Sequence, residues 1–237
     1  MIHIHVIQHE SFESPAAIEN WFSMHKCRVT YTHVYNYETF PSDVSSIDML
    51  FVMGGPQSPQ STREEFPYFD GPAEIQFVKR VIDAGKKVVG ICLGAQIIGE
   101  ALGAAVVHSP NREIGAFEIH KTPAALTDEV CAALPDNFMV GHWHGDMPGL
   151  TAQSEVLAYS QGCPRQIVRF TPNVYGFQCH LEFTSQAIAG MIQNCGDELR
   201  QFSGFPYVWS AQQLQNYRYT EMNEVLFRML DIIVAKQ

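Results

Sequence analysis

Apolar and β-branched residues cluster in short runs along the first ninety positions: IHIHVI at 2–7, CRVTYTHV at 27–34, MLFVM at 49–53 and KVVGI at 87–91. Runs of this length and composition predict strands. Between them the pattern takes on a helical period. Residues 15–25 follow Ser14 as a candidate N-cap, and residues 73–84 place Ile75, Val78, Val81 and Ile82 on one face before Gly85. Strand and helix in alternation predict right-handed βαβ crossovers, and so a parallel sheet covered by helices on both faces. The middle of the chain reads differently. Segments 114–121, 138–142, 156–159, 166–170 and 174–179 are strand-like, with one short helical candidate at 127–134, which predicts a mixed or antiparallel extension. The helical period returns over 185–202 and 210–236.

No repeat, low-complexity tract or Pro/Gly/Ser linker divides the 237 residues, so the reading is one α/β domain over 1–237. Composition then narrows the partners. With 15 Lys+Arg against 25 Asp+Glu the net charge is −10, which repels phosphate backbones and anionic lipid and argues against nucleic acid or a membrane surface. No apolar run approaches the roughly 20 residues of a membrane-spanning helix. The six cysteines (Cys27, Cys92, Cys131, Cys163, Cys179 and Cys195) form no C-x-x-C pair, and the N-terminus lacks a basic region followed by an apolar run. Reduced thiols and a cytoplasmic location are expected.

Three segments could carry chemistry. In Gly90-Ile91-Cys92-Leu93-Gly94-Ala95-Gln96 a predicted strand runs straight into the helical pattern 95–102, with a cysteine at the junction. Such a turn lifts a side chain out of the sheet toward solvent, flanking glycines give the backbone room, and the helix N-terminus favours an anion. Cys92 thus reads as a nucleophile or as a small buried hydrophobe. In His180-Leu181-Glu182 the acid and the imidazole share a face of an extended segment, so Glu182 could orient His180 as a base; a surface His beside a solvated Glu fits equally. In Met53-Gly54-Gly55-Pro56-Gln57-Ser58 paired glycines after a strand can turn backbone amides inward as oxyanion donors, or can make an ordinary turn.

Taken together, Gly-Gly-Pro, Gly-Ile-Cys-Leu-Gly-Ala-Gln and His-Leu-Glu resemble the class I (triad) glutamine amidotransferases, especially the amidotransferase domain of GMP synthase and its stand-alone relatives. The resemblance runs from near the N-terminus to Thr184 and includes His142-Trp143-His144-Gly145-Asp146, similar to the family's His-Gly-Asp loop. It implies a flavodoxin-like, doubly wound, mostly parallel sheet with a mixed or antiparallel extension. It also implies Cys92 as nucleophile, His180 as general acid/base, Glu182 as orienting partner, and the Gly55 and Leu93 amides as oxyanion hole. Gly54, Gln96, His144, Gly145 and Asp146 would surround a small-molecule substrate, glutamine or a γ-glutamyl compound. The motif departs from the family's Phe-His-Pro-Glu at Cys179 and Leu181; Leu keeps both functional side chains but leaves φ free and returns an N–H.

No cofactor is implied. Metal readings at His3-Ile4-His5 and His142-Trp143-His144 lack a third ligand in sequence, so no metal is assigned. The chain carries no Walker P-loop and no Ser-Gly-Gly-x-Asp-Ser adenylation signature. Its ammonia would therefore pass to a separate synthase subunit, or the protein acts alone as a γ-glutamyl peptide hydrolase. A non-catalytic binding module would be expected to lose Cys92, His180 or Glu182, and all three are present. A related single-domain peptidase or glyoxalase-like hydrolase is disfavoured by Gln96 and the late His-x-Glu pair. The role of Gln8-His9-Glu10, at the end of the first strand, stays open.

Overall fold

The computed structural model describes residues 1–237 apart from Ala133 and Gln237. The expected alternation appears as β1 (His3–Gln8), α1 (Ala17–Met24), β2 (Arg28–His33), β3 (Met49–Val52), α2 (Gly71–Asp83), β4 (Lys87–Ile91) and α3 (Leu93–Ala101). There follow β5 (Val107–Lys121), α4 (Glu129–Ala132), β6 (Asn137–Met147), β7 (Glu155–Ser160), β8 (Ile167–Thr171), β9 (Val174–Phe177), α5 (Ser185–Gln201), α6 (Ala211–Asn216) and α7 (Thr220–Ala235).

Among the described residues, nine strands form one sheet in the order β2-β1-β3-β4-β9-β8-β7-β5-β6. Pairings from β2 across to β9 are parallel, and those beyond β9 are antiparallel. The flavodoxin-like half and the predicted extension therefore share one sheet. Successive side chains leave opposite faces of a strand. Ile4, Val6, Met49 and Phe51 accordingly pack on one face with Trp21 of α1 and Met222 of α7. Ile7, Leu50 and Val52 pack on the other with Phe77 of α2 and Ile97 of α3. Burial on both faces explains why these strands are apolar almost throughout.

Four expectations shift. The cap of α1 is Ala16, at φ 49, and Ser14 Oγ instead accepts the Ala16 amide at 3.2 Å. The predicted helix 127–134 is reduced to α4, because Asp128 Oδ1 receives the Val130 and Cys131 amides at 3.0 and 2.9 Å and starts the helix there; Ala133 lies outside the described residues. The segment 210–236 is two helices. A Ser210–Gln213 capping box starts α6, and Tyr217 turns extended (φ −77, ψ 147) to pack on Trp209 and Tyr219 at centroid distances of 5.6 and 5.1 Å. Finally, β6 continues to Met147, so His142 to Asp146 are the end of a strand rather than a loop: Trp143 pairs with Ile114 and His144 with Glu113 of β5.

The parallel strands end on the same edge of the sheet, where open α/β folds gather ligands. His9 follows β1, Gly54 follows β3, Cys92 follows β4, and His180 lies shortly beyond β9. Reciprocal backbone bonds between Gly141 and His180, at 2.8 and 2.7 Å, draw the extension over that edge.

Candidate active site

At the end of β4 the chain enters α3 through Cys92, whose φ 52 and ψ −108 are unfavourable for an L-residue. The neighbouring glycines serve close approach more than turning. A Cβ on Gly94 would stand 2.0 Å from the Val52 carbonyl oxygen, so α3 rests directly against β3. The turn does not thrust the sulfur into solvent as its local geometry suggested. Cys92 is only 7% exposed, because β6, α5 and the segment after β3 rise around it. Gln178 Nε2 donates to the sulfur at 3.4 Å, and the sulfur lies 3.7 Å from the Trp143 carbonyl oxygen.

His180 and Glu182 meet as their spacing predicts, in a bent segment after β9 rather than a strand. His180 Nδ1 donates to Glu182 Oε1 at 2.6 Å, which leaves Nε2 on the other side of the ring without a hydrogen-bond partner among the described residues. The ring stacks on Phe183, with centroids 4.1 Å apart and planes 9° from parallel. Burial alone would lower its proton affinity, but the charge of Glu182, the nearby Cys92 thiol and the bond to Glu182 outweigh it and hold the ring well above the ordinary imidazole range. One point of space ties the group together. A Cβ on Gly54 would lie 3.6 Å from Cys92 Cβ, 3.6 Å from His180 Cε1 and 2.5 Å from Glu13 Oε2.

Leu181 occupies the position where the family motif has proline. Asn223 of α7 donates to the carbonyls of Leu181 and Phe183 at 2.6 and 3.0 Å. The stiffness a proline would supply from within is here imposed from another helix.

Of the remaining predicted residues, Gly55, Gln96, Gly145 and Asp146 wall a cleft of about 540 Å³ with Glu13 and Cys92, whereas the Leu93 side chain packs in the core with Val52 and Ile97. Gln96 Nε2 donates to Gln178 Oε1 at 3.1 Å, while Gln96 Oε1 is buried and has no partner among the described residues. That orphan acceptor suits an amino group. His144 also borders the cleft, but its ring turns into a buried network: Nε2 lies 3.2 Å from Glu113 Oε2, and Ser160 Oγ and Gln166 Nε2 donate to Glu113 at 2.7 and 2.6 Å. Asp146 pairs with His108 at 2.6 Å. Glu113, His144 and Cys163 bring three ligand-type atoms within 4.8 Å of one another, yet both carboxylate oxygens of Glu113 already carry hydrogen bonds. His142, the other half of the sequence's His-x-His pair, is outside that group, and burial pulls its ring down to about 3. His3 and His5 both contact Thr30 Oγ1, each at 2.9 Å.

Sequence reasoning missed Glu13 and Gln178, which no motif marks, and took Trp143 only as part of the His-Gly-Asp segment. Glu13 is partly buried in the cleft wall. Burial pushes its carboxyl up to about 7, against the pull of His180 and His9 and with a further push from Glu10 and Glu182. Cys179 points away from the cleft: its thiol faces the Gln166 carbonyl at 3.6 Å and burial raises it. Burial likewise pushes Cys163 up to about 11 and Cys195 to about 12, and raises Cys27 and Cys131. A larger hollow of about 710 Å³ lies between the segment after β2 and α2, and none of these groups borders it.

A nearly parallel five-strand edge that gathers a cysteine elbow, a His–Glu pair and a Gly-Gly turn matches a known class. Residues 18–198 match the family described as glutamine amidotransferase class-I, and the chain belongs to that family. It is 48% identical over 228 residues to the glutamine amidotransferase-like protein YfeJ of Salmonella typhimurium, covering 96% of this chain and 95% of that one. It is 34% identical over 103 residues to a glutamine-hydrolysing GMP synthase of Dehalococcoides mccartyi, covering 43% of this chain and 19% of the synthase. Among solved structures, SMU.1228c aligns with TM-score 0.95 at 46% identity, over 98% of this chain and 99% of that one. A glutamine amidotransferase from Thermotoga maritima shares the fold, with TM-score 0.86 at 20% identity over 99% of each chain. No helix among the described residues is long and apolar enough to cross a membrane.

Proposed function

We propose that the protein hydrolyses the side-chain amide of glutamine, or a γ-glutamyl amide, through a thioester on Cys92. The His180 ring, whose proton affinity is raised, already holds the thiol proton when sulfur bonds to the amide carbon. The Gly55 and Leu93 amides receive the developing oxyanion; Leu93 is the first residue of α3, where a helix N–H has no acceptor in a preceding turn. His180 then protonates the departing nitrogen as the C–N bond breaks, and ammonia or an amine leaves. Water gives a proton to His180 and attacks the thioester, and the sulfur departs with that proton to restore the thiol. Glu182 holds the ring through Nδ1 at every stage. Gln96 Oε1 and the backbone around Gly145 and Asp146 hold the α-amino acid end of the substrate.

The observation that carries this reading is the His180–Glu182 bond of 2.6 Å, which leaves Nε2 free beside the cysteine that alone sits on a strained helix-entry turn. Glutamine is the substrate the family favours, with ammonia passed to a separate synthase. Glu13, an acid close to His180 whose carboxyl makes no hydrogen bond among the described residues, favours a second reading in which the leaving group is an amine and the protein works alone. Incubating the purified chain with glutamine and with a panel of γ-glutamyl peptides separates the two. A glutamine-directed chloroketone should label Cys92 ahead of the other five thiols, whose burial holds them protonated. Faster labelling of Cys27 or Cys163, or unchanged hydrolysis in Cys92→Ala, would overturn the covalent route.

A further inference from the structure

His9 and Glu74 form a buried pair that the reaction above does not use. Both are completely inaccessible to solvent. His9 Nε2 lies 2.9 and 3.0 Å from the two Glu74 carboxylate oxygens, and His9 Nδ1 lies 3.0 Å from the Gly54 carbonyl oxygen. A carbonyl and a carboxylate only accept, so each ring nitrogen carries a proton and the ring is an imidazolium. Its proton affinity agrees: burial opposes the charge, but Glu74 and the Gly54 carbonyl raise it above the ordinary value. Taking two charges out of water is costly before their attraction is counted. A pair that stabilises little in net is better explained by what it holds.

It holds one peptide plane. The Gly54–Gly55 bond is trans, as are all those described, so a carbonyl fixed toward His9 turns the Gly55 N–H to the opposite side of the plane. That N–H makes no bond to a protein acceptor among the described residues, and Gly55 borders the cleft that contains Cys92. Two glycines flank the rotating bonds, so nothing intrinsic to the turn opposes a flip of the plane. We propose that His9 and Glu74 are positioning residues for the oxyanion hole: the imidazolium pins the Gly54 carbonyl, points the Gly55 N–H at the oxyanion, and polarises the peptide so that this N–H donates more strongly. Charge-assisted bonds are about twice as strong as neutral ones, and hydrogen bonds in series reinforce each other. Gln8-His9-Glu10 gains a role by this route, and Glu74, in the first turn of α2, is the partner that keeps His9 charged.

This inference rests on the oxyanion assignment of the proposed function, and the test separates the two. Glu74→Gln keeps the volume and a contact to Nε2 but removes the charge. His9→Asn, combined with Glu74→Gln, places an uncharged donor near the Nδ1 position and leaves no lone buried charge if the single variant fails to fold. Each is assayed for kcat and KM, for inhibition by the γ-aldehyde analogue of glutamine, whose adduct with Cys92 carries an oxygen in the hole, and for alkylation of Cys92 by iodoacetamide, which needs no hole. Expected are a fall of about 10- to 100-fold in kcat, a matching loss of aldehyde affinity, KM within about twofold, and unchanged alkylation. Folded variants with normal kcat and aldehyde affinity, or with equal losses in alkylation, would overturn the positioning role while leaving the thioester route intact. A wild-type chain that cleaves no γ-glutamyl amide would instead remove the underlying reading, and this inference with it.

Discussion

At the scale of single residues the site depends on where protons sit. Among the described residues the Glu182 carboxylate bonds only to Nδ1 of His180, the nitrogen away from the cysteine, so its task is orientation and charge, whereas His180 must move the proton. Glu182→Gln can still bond to the ring and should retain partial activity; His180→Asn should leave almost none, a loss of about 10²–10⁴ in kcat. The order is what steady-state kinetics must check. If Glu182→Gln proved the more damaging change, His180 would not be the base. The buried His142 could not easily replace it, because burial keeps that ring neutral with its proton affinity pulled down to about 3. The motif His-x-Glu was legible in sequence because residues two apart can share a face. The free Nε2 was not legible, since it depends on what surrounds the ring.

Between elements, the structure explains how a departure from the family motif is tolerated. A proline at position 181 would stiffen the His180–Glu182 segment from within. Here Leu181 is buried and its carbonyl, with that of Phe183, is clamped by Asn223 from a helix far along the chain. Asn223→Ala should therefore reduce kcat by roughly three- to tenfold through a mobile base, at a stability cost of about 1–2 kcal/mol for two lost side-chain bonds. Urea unfolding and kinetics on the same preparation check both halves. A variant with lower stability but unchanged kcat would show that Asn223 supports packing alone. The β4–α3 elbow was visible in sequence as strand, cysteine and helix. Its buried sulfur was not, because the walls come from β6 and α5, which the elbow's own residues do not specify.

For the whole molecule, an acidic chain of net charge −10 carries one acid whose burial works against folding at high pH. Burial pushes Glu13 up to about 7, His180 and His9 pull it down, and Glu10 and Glu182 add to the rise. Its folded value exceeds its unfolded one, so its favourable contribution is complete below the unfolded value near 4.3 and is lost as pH rises through about 7. Between about pH 5 and 8 the wild type should lose about 1–2 kcal/mol that Glu13→Gln does not lose, after allowance for partial exposure. Parallel denaturant titrations across that range measure the difference; superimposable pH profiles would show that Glu13 ionises freely in the cleft.

The local pattern by itself determined the parallel half of the sheet, the antiparallel strands that follow it, the cysteine at a helix entry and the acid two residues from a histidine. Those are properties of short stretches, where side-chain period and turn chemistry act over a few residues. Tertiary structure decided the rest. Strand order set β9 beside β4 and so brought His180 to Cys92, and it carried the end of β6 over both. It also joined His9 to Glu74, 65 residues apart, and Leu181 to Asn223, 42 apart. No local pattern encodes such pairs, because what selects them is the sheet order and the packing of helices across it, which exist only once the chain has folded.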